Sequence, residues 1–212
     1  MALRYLHRTD AFVVGVWRVE EDEETLKEMV GGDYFPGLNR LNHPRRRLEW
    51  LAVRVLLRKF GYEGQVMYHP TRRPFLVHSR SHISISHSFP FVAVVLSDKC
   101  SVGIDIESYV RPFVQVKDKY LSEREKMWVD VDNNRQLALI WSAKEAMYKL
   151  PGMEGLGGPD MDVRPIDELS NEGNFSATIR MGNTIQRFNL QYYYMEFFNV
   201  VWVCCDPKTL VW

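Results

Sequence analysis

Two carboxylates stand one residue apart in Val102-Gly103-Ile104-Asp105-Ile106-Glu107. On an extended strand successive side chains point to opposite faces, so Val102, Ile104 and Ile106 share one face while Gly103, Asp105 and Glu107 share the other. The acidic face then carries two carboxylates about 6.6–6.8 Å apart along the strand. Like charges held this close repel unless a cation or a proton lies between them. Magnesium suits the pair, because it takes oxygen ligands, uses one or two carboxylates and completes its octahedron with water and substrate phosphates. Gly103 leaves the approach to the carboxylates open. Taken alone, these residues read equally as a half-exposed strand with ordinary alternation of polarity.

A second set lies some forty residues on. Trp141, Glu145 and Lys149 are four apart and share one helix face, with Leu137, Ile140, Lys144 and Met147 on a neighbouring stripe. By itself Glu145→Lys149 is a favourable i,i+4 ion pair and Trp141 a core residue. Combined with the acidic strand, the helix completes a set of parts for phosphate chemistry. Glu145 is then a third metal ligand or a base, and Lys149 a cation against a phosphate.

The elements that must position these residues are legible as periodicities. Ala11–Val19 reads as a strand, Glu20–Met29 as an acidic helix, and Gly31-Gly32-Asp33 with Pro36-Gly37 as loop punctuation. Arg45–Phe60 is an amphipathic helix with Leu48, Leu51, Ala52, Val55 and Leu56 at helical spacing and Gly61 as its stop. The period then changes to two. Val66–Tyr68, Phe75–Val77, His82–Ser86, Phe91–Ser97 and Cys100–Glu107 are predicted strands. Ser122 and Glu125 have capping-box spacing, which predicts a helix opening there. A further helix runs from Asn133-Asn134 through Lys149 to the stop at Pro151-Gly152. Ala177–Met181 and Thr184–Leu190 flank a Gly182-Asn183 turn, and Tyr192–Phe198 with Val200–Cys204 form a second strand pair. Helix-then-strands thus occurs once in each half, with a boundary near residue 100 and no residue-level repeat.

Bulk properties narrow the class. The 212 residues make one large domain or two small ones, and 46% apolar content leaves enough material for a core. Lys plus Arg equals Asp plus Glu at 27 each, so no global charge draws the chain to nucleic acid or an anionic membrane. Cys100, Cys204 and Cys205 have neither disulfide-framework nor zinc spacing, which fits a reducing cytoplasm. The start of the chain reads without a secretory leader, and no apolar stretch reaches the roughly 18 residues of a membrane helix.

Gly103-Ile104-Asp105-Ile106-Glu107 followed by Trp141-Ser142-Ala143-Lys144-Glu145-Ala146-Met147-Tyr148-Lys149 resembles the 4′-phosphopantetheinyl transferase superfamily, whose pattern is Gly-x-Asp-x-Glu and then Trp/Phe-Ser-x-Lys-Glu-Ala-x-x-Lys. Every fixed position is present. Ile83-Ser84-Ile85-Ser86-His87-Ser88 is similar to the family's Ser-His-Ser element, and Arg73-Pro74 to the end of its Gly-Lys/Arg-Pro element. The resemblance covers roughly residues 45–149. Chain length and the two apparent halves are similar to the longer, monomeric branch of the family.

The resemblance implies an α+β fold of two similar, pseudo-duplicated halves, 1–100 with the nucleotide-binding elements and 101–212 with the metal strand and the Trp-Ser-x-Lys-Glu helix. Each half would pack a helix on a small, mostly antiparallel sheet, with the active site between the halves. It implies transfer of 4′-phosphopantetheine from coenzyme A to a serine hydroxyl of an apo acyl or peptidyl carrier protein, with magnesium and release of 3′,5′-ADP. Asp105, Glu107 and Glu145 would hold the metal. Glu145 and Lys149 would be catalytic, with Lys149 also on the pyrophosphate and Lys144 beside it. Ser86 and His87 would bind phosphates of the nucleotide end, and Arg73 and Pro74 would line the adenine and 3′-phosphate pocket. One of Arg45-Arg46-Arg47 would add a 3′-phosphate contact, with Arg46 favoured. A run of arginines at a helix start opposes the helix dipole unless an anion joins it. Carrier protein and coenzyme A are the implied partners, without nucleic acid or membrane, for a cytoplasmic monomer.

Two departures from the family pattern stand out: Arg72 replaces the usual glycine, and the Gly- and Pro-rich stretch 151–159 begins soon after Lys149. The alternatives are a catalytically silent module that binds coenzyme A or a carrier, a magnesium phosphohydrolase, and a structural interaction protein without magnesium dependence. Carrier proteins of this kind are acidic, and Arg111–Tyr120 mixes Arg111, Lys117 and Lys119 with Pro112, Phe113 and Val114 as part of a docking surface. Charge reversal at Lys117 and Lys119 should raise the apparent KM for a carrier protein while leaving that for coenzyme A unchanged; steady-state kinetics with each substrate varied would expose an equal effect on both.

Overall fold

The computed structural model describes residues 2–32, 37–151, 153, 155–166 and 169–210. Asp33, Pro36 and Gly152, singled out above as loop and stop residues, lie outside the described residues. The chain divides into two compact units, Met1–Lys99 and Cys100–Trp212. Among the described residues both are built from antiparallel strands and α-helices.

In the first unit the strands are β1 (Leu3–Arg8), β2 (Val13–Arg18), β3 (Val66–Tyr68), β4 (Pro74–Leu76), β5 (His82–Ser88) and β6 (Phe91–Ser97), with helices α1 (Glu23–Val30) and α2 (Pro44–Phe60). Four strands pair in the order β1-β2-β6-β5, and β3 with β4 forms a separate hairpin. The first strand, β1, shows no alternation of polarity in sequence: apolar Tyr5 and Leu6 are adjacent, as are basic His7 and Arg8, and Leu6 falls on the exposed face. The amphipathic helix α2 lies on β2 and β6. Gly15 on β2 makes this possible, since an added Cβ would lie 2.9 Å from the Phe60 ring. Gly61 ends α2 in the left-handed region at φ 91°, with its N–H bonded to the carbonyls of Arg58 and Leu57.

The second unit holds β7 (Ser101–Ser108), α3 (Asn134–Tyr148), β8 (Met161–Val163), β9 (Glu172–Met181), β10 (Thr184–Met195) and β11 (Phe198–Cys205). Its sheet runs β7-β11-β10-β9-β8. The strand read as starting at Tyr192 is the continuation of β10, which pairs in register with β9 as far as Tyr193↔Glu172. The turn into β11 falls instead at Glu196, in the left-handed region at φ 48°. Helix α3 packs on β7 and β11. Leu137, Leu139, Ile140 and Met147 are fully buried from it, each contributing about 1.5–3 kcal/mol of apolar burial.

The helix predicted from Ser122 is only a 3₁₀ turn, Glu125–Met127. The capping box is there: Glu125 N–H donates to Ser122 Oγ at 3.2 Å and Ser122 N–H to Glu125 Oε2 at 2.8 Å. Glu125 is fully buried, however, and its carboxylate also accepts from Val163 N–H and from Lys144. Anchored inward on three sides, the segment stops after one turn.

Arg47 ties the first unit together. Its guanidinium meets Glu23 of α1 through two bonds of 2.6 Å and donates to the carbonyls of Leu38 and Leu41. Bonds from Arg47 and then Lys27 hold Glu23 down to about 2, against an ordinary 4.5. A lowered carboxyl stabilises fully above its unfolded value and loses that contribution as pH falls toward its folded one. Glu23→Gln should therefore lower the melting temperature at pH 7 by a few degrees, about 1 kcal/mol for a part-exposed pair. Thermal melts of both proteins between pH 7 and pH 3 should show the gap narrowing below 4.5; a constant gap would contradict the pairing.

Candidate active site

Strand β7 presents Gly103, Asp105 and Glu107 on one face, and α3 covers that same face. The contact is made at Gly103, where a Cβ would collide with the carbonyl oxygen of Ala146. Gly103 therefore does not keep an approach open, as its lack of a side chain suggested; it admits the helix backbone against the strand. That close approach brings Glu145 and Lys149, one residue before and three after Ala146, to the two strand carboxylates.

Lys149 sits at the C-terminal end of α3, where the helix dipole favours a cation. Its ammonium donates to Asp105 Oδ1 at 2.9 Å and to the carbonyl of Ile104 at 2.8 Å. Arg111 donates to Glu107 Oε2 at 2.6 Å. Burial, followed by repulsion from Asp105, raises Glu107 above the usual carboxylate range despite Arg111. Burial and the charge of Asp105 raise Glu145 likewise, Glu107 adding to the effect and Lys149 opposing it. The three carboxylates thus feel one another. Among the described residues no three His, Cys, Asp or Glu side chains are arranged to hold one metal ion. Two cationic side chains instead stand against the strand pair, Lys149 on Asp105 and Arg111 on Glu107. An all-oxygen donor set already drawn onto cations fits a hard divalent ion in its chemistry.

Lys144 requires a correction. Expected beside the phosphates, its ammonium is buried and donates to Tyr120 O at 2.6 Å, Glu125 Oε2 at 2.6 Å and Gly158 O at 2.9 Å. Its three N–H groups are all taken by protein acceptors. One residue of offset on a helix separates it from Glu145 by about 100°, enough to turn it into the interior. Burial lowers Lys144 and raises Glu125, each held charged by the other. Trp141 packs its ring edge-on against Tyr120 and tilted against Phe113, both buried. Phe113 is therefore absent from the surface that Arg111–Tyr120 offers, while Arg111 and Lys119 are exposed.

The first unit gathers some of its predicted residues and separates others. Arg46 Nη1 lies 2.7 Å from His87 Nε2 and 3.2 Å from Glu49 Oε2. His87 shares its face of β5 with Ile83 and Ile85, which pack with α2. Strand alternation turns Ser86 to the opposite face, where it is buried, so Ser86 does not join this cluster. Arg45 lies over the Phe89 ring at 5.0 Å. The anion that three arginines at a helix start demand is supplied in part by the protein, through Glu23 and Glu49. Glu49 was missed, although a carboxylate three residues after Arg46 on the apolar stripe of α2 was its signal. Arg73 and Pro74 follow a turn closed by Arg72 N–H to His69 O at 2.8 Å and His69 N–H to Arg73 O at 2.9 Å. Arg72 holds φ 65°, the left-handed conformation that a glycine would adopt freely.

Residues 101–194, which carry both β7 and α3, match the model of the 4′-phosphopantetheinyl transferase superfamily. The chain is 34% identical over 116 residues to 4′-phosphopantetheinyl transferase AcpT of Salmonella typhi, an alignment covering 50% of this chain and 60% of that protein. It is also 34% identical to AcpT of Salmonella typhimurium, with the same coverage. The chain thus spans about 60% of the length of these curated relatives. Within residues 101–194, Gly103, Asp105, Glu107, Glu145 and Lys149 meet at the β7–α3 contact, while Lys144 is turned into the interior.

The Lys144–Glu125 pair gives a direct check on that division. Lys144→Met leaves a buried carboxylate without its cation and should destabilise by about 3–5 kcal/mol in urea denaturation. Adding Glu125→Gln to it should recover most of that loss; an unchanged midpoint in the single variant would place the ammonium elsewhere.

Proposed function

We propose that this chain transfers the 4′-phosphopantetheine group of coenzyme A to a serine hydroxyl of an apo acyl or peptidyl carrier protein, releasing 3′,5′-ADP in a magnesium-dependent reaction. The observation that carries the reading is the meeting of Asp105, Glu107, Glu145 and Lys149 at one strand–helix contact inside the superfamily segment. It is supported by the curated relatives, which are named as transferases of this kind.

In this reading the serine oxygen attacks the β-phosphorus of coenzyme A. A new phosphoester bond forms, the bond from that phosphorus to the oxygen of 3′,5′-ADP breaks, and the serine proton passes to Glu145. A serine hydroxyl is a weak nucleophile at neutral pH, so a base within reach is required. Glu145 has the burial and the carboxylate neighbours that make a carboxylate more basic. Asp105, Glu107 and Glu145 would hold magnesium, which when bound offsets charge on the phosphoryl oxygens. Lys149 would leave Asp105 for the pyrophosphate, where a positive side chain stabilises the spreading negative charge. Residues 1–100 would supply the nucleotide contacts, with Arg46 and His87 as a basic clasp held by Glu49, and Arg73, Pro74 and Ser86 as further contacts. Lys144 keeps a structural role. The pseudo-duplicated, monomeric and cytoplasmic character expected above belongs to the same proposal.

The test is intact-mass analysis of an apo acyl carrier protein incubated with the chain, coenzyme A and magnesium. A gain of one phosphopantetheine mass should require magnesium and disappear with Asp105→Ala, and Glu145→Gln should lower turnover by at least about a hundredfold as a lost base would. No mass gain across several carriers would overturn the reading.

A further inference from the structure

Asn199 lies on β11 directly opposite Glu107 in the antiparallel register, with Tyr194 of β10 opposite it on the other side. Directly opposed residues share a face and hold their Cβ atoms about 4.5–5.5 Å apart. The shared face is the one α3 covers, because Val201 and Val203, two and four residues further along β11, pack in the α3 core. Asn199 is 0% exposed, and neither its Nδ2 nor its Oδ1 has a hydrogen-bond partner among the described residues. A buried polar group left this way costs about 1–3 kcal/mol, and an amide leaves a donor and an acceptor unmet at once. A leucine has the same branching at Cγ without that penalty. Tyr194 does not relieve it, since its hydroxyl donates to the carbonyl of Arg135. The residue directly across the sheet on this face is Glu107, whose carboxylate accepts from Arg111.

We propose that Asn199 is a positioning residue for the acidic site: its Nδ2 donates to Glu107 once that carboxylate turns from Arg111 to a bound divalent cation. The inference rests on the function proposed above, which makes Glu107 a metal ligand. The amide fixes which Glu107 oxygen is offered to the ion, and its buried, unmet donor is a partner kept ready for the loaded state. Outer partners that orient a ligating carboxylate are worth roughly tenfold or more in metal affinity.

The test uses the full chain and Mn²⁺ alone, with free ion followed by electron paramagnetic resonance, alongside melting temperature without metal. Asn199→Leu should raise the melting temperature, because the unmet amide is gone, while weakening Mn²⁺ about tenfold. Asn199→Ser, too short to reach Glu107, should weaken Mn²⁺ similarly and decides the matter if the leucine variant does not fold. Stability and affinity moving in opposite directions is a result that a purely structural amide does not produce. Mn²⁺ binding lost in Asp105→Ala but within twofold of wild type in both Asn199 variants would overturn this inference and leave the proposed function standing. A wild-type chain that binds no Mn²⁺ would overturn the metal reading, and this inference with it.

Discussion

The approach of α3 to β7 at Gly103 is the constraint on which the second unit depends. A helix and a strand ordinarily meet through side chains, and the contact distance varies with their size. Here the Ala146 carbonyl occupies the space a Cβ would take. The helix axis is thereby set close to the strand, and the side chains on either side of Ala146 are delivered to the strand's acidic face. Glu145 and Lys149 reach Asp105 and Glu107 because nothing stands between the two backbones.

This geometry concentrates charge where water is scarce. Burial raises Glu107 and Glu145, and each feels the neighbouring Asp105. Lys149 and Arg111 offset part of the repulsion. Such an arrangement is costly to fold around unless cations are present, and Lys149 and Arg111 supply them.

The buried pair Lys144–Glu125 anchors the segments around α3 rather than the chemistry. Its members take hydrogen bonds from or give them to Tyr120, Ser122, Gly158 and Val163, four points on three chain segments. The pair is well satisfied, which is the condition under which a buried ion pair is tolerated. Arg47 does corresponding work in the first unit, joining α1, α2 and the turn at Leu38–Arg40. In both units a basic residue from a conspicuous run or motif serves the fold, while its neighbour in sequence makes other contacts: Glu145 lies by the β7 carboxylates, and Arg46 by His87 and Glu49.

By itself the sequence determined the strand carrying Asp105 and Glu107, the helix carrying Glu145 and Lys149, and α2 with its stop at Gly61. These are properties of local periodicity, capping and alternation, which a short window of residues contains. The Gly182-Asn183 hairpin was legible for the same reason. What only the tertiary structure decided depends on contacts between distant segments. Ser122–Glu125 has the spacing of a helix start, yet Glu125 is drawn into the core by Lys144 and Val163, and a single turn results. Lys144 and Arg47 look like ligands in sequence, and become anchors because partners far along the chain take their donors. Gly103 reads as open space and is filled by a helix 43 residues away (Gly103 to Ala146). Asn199 carries no motif at all; strand register alone sets it across from Glu107, and register is fixed by pairing across the whole sheet.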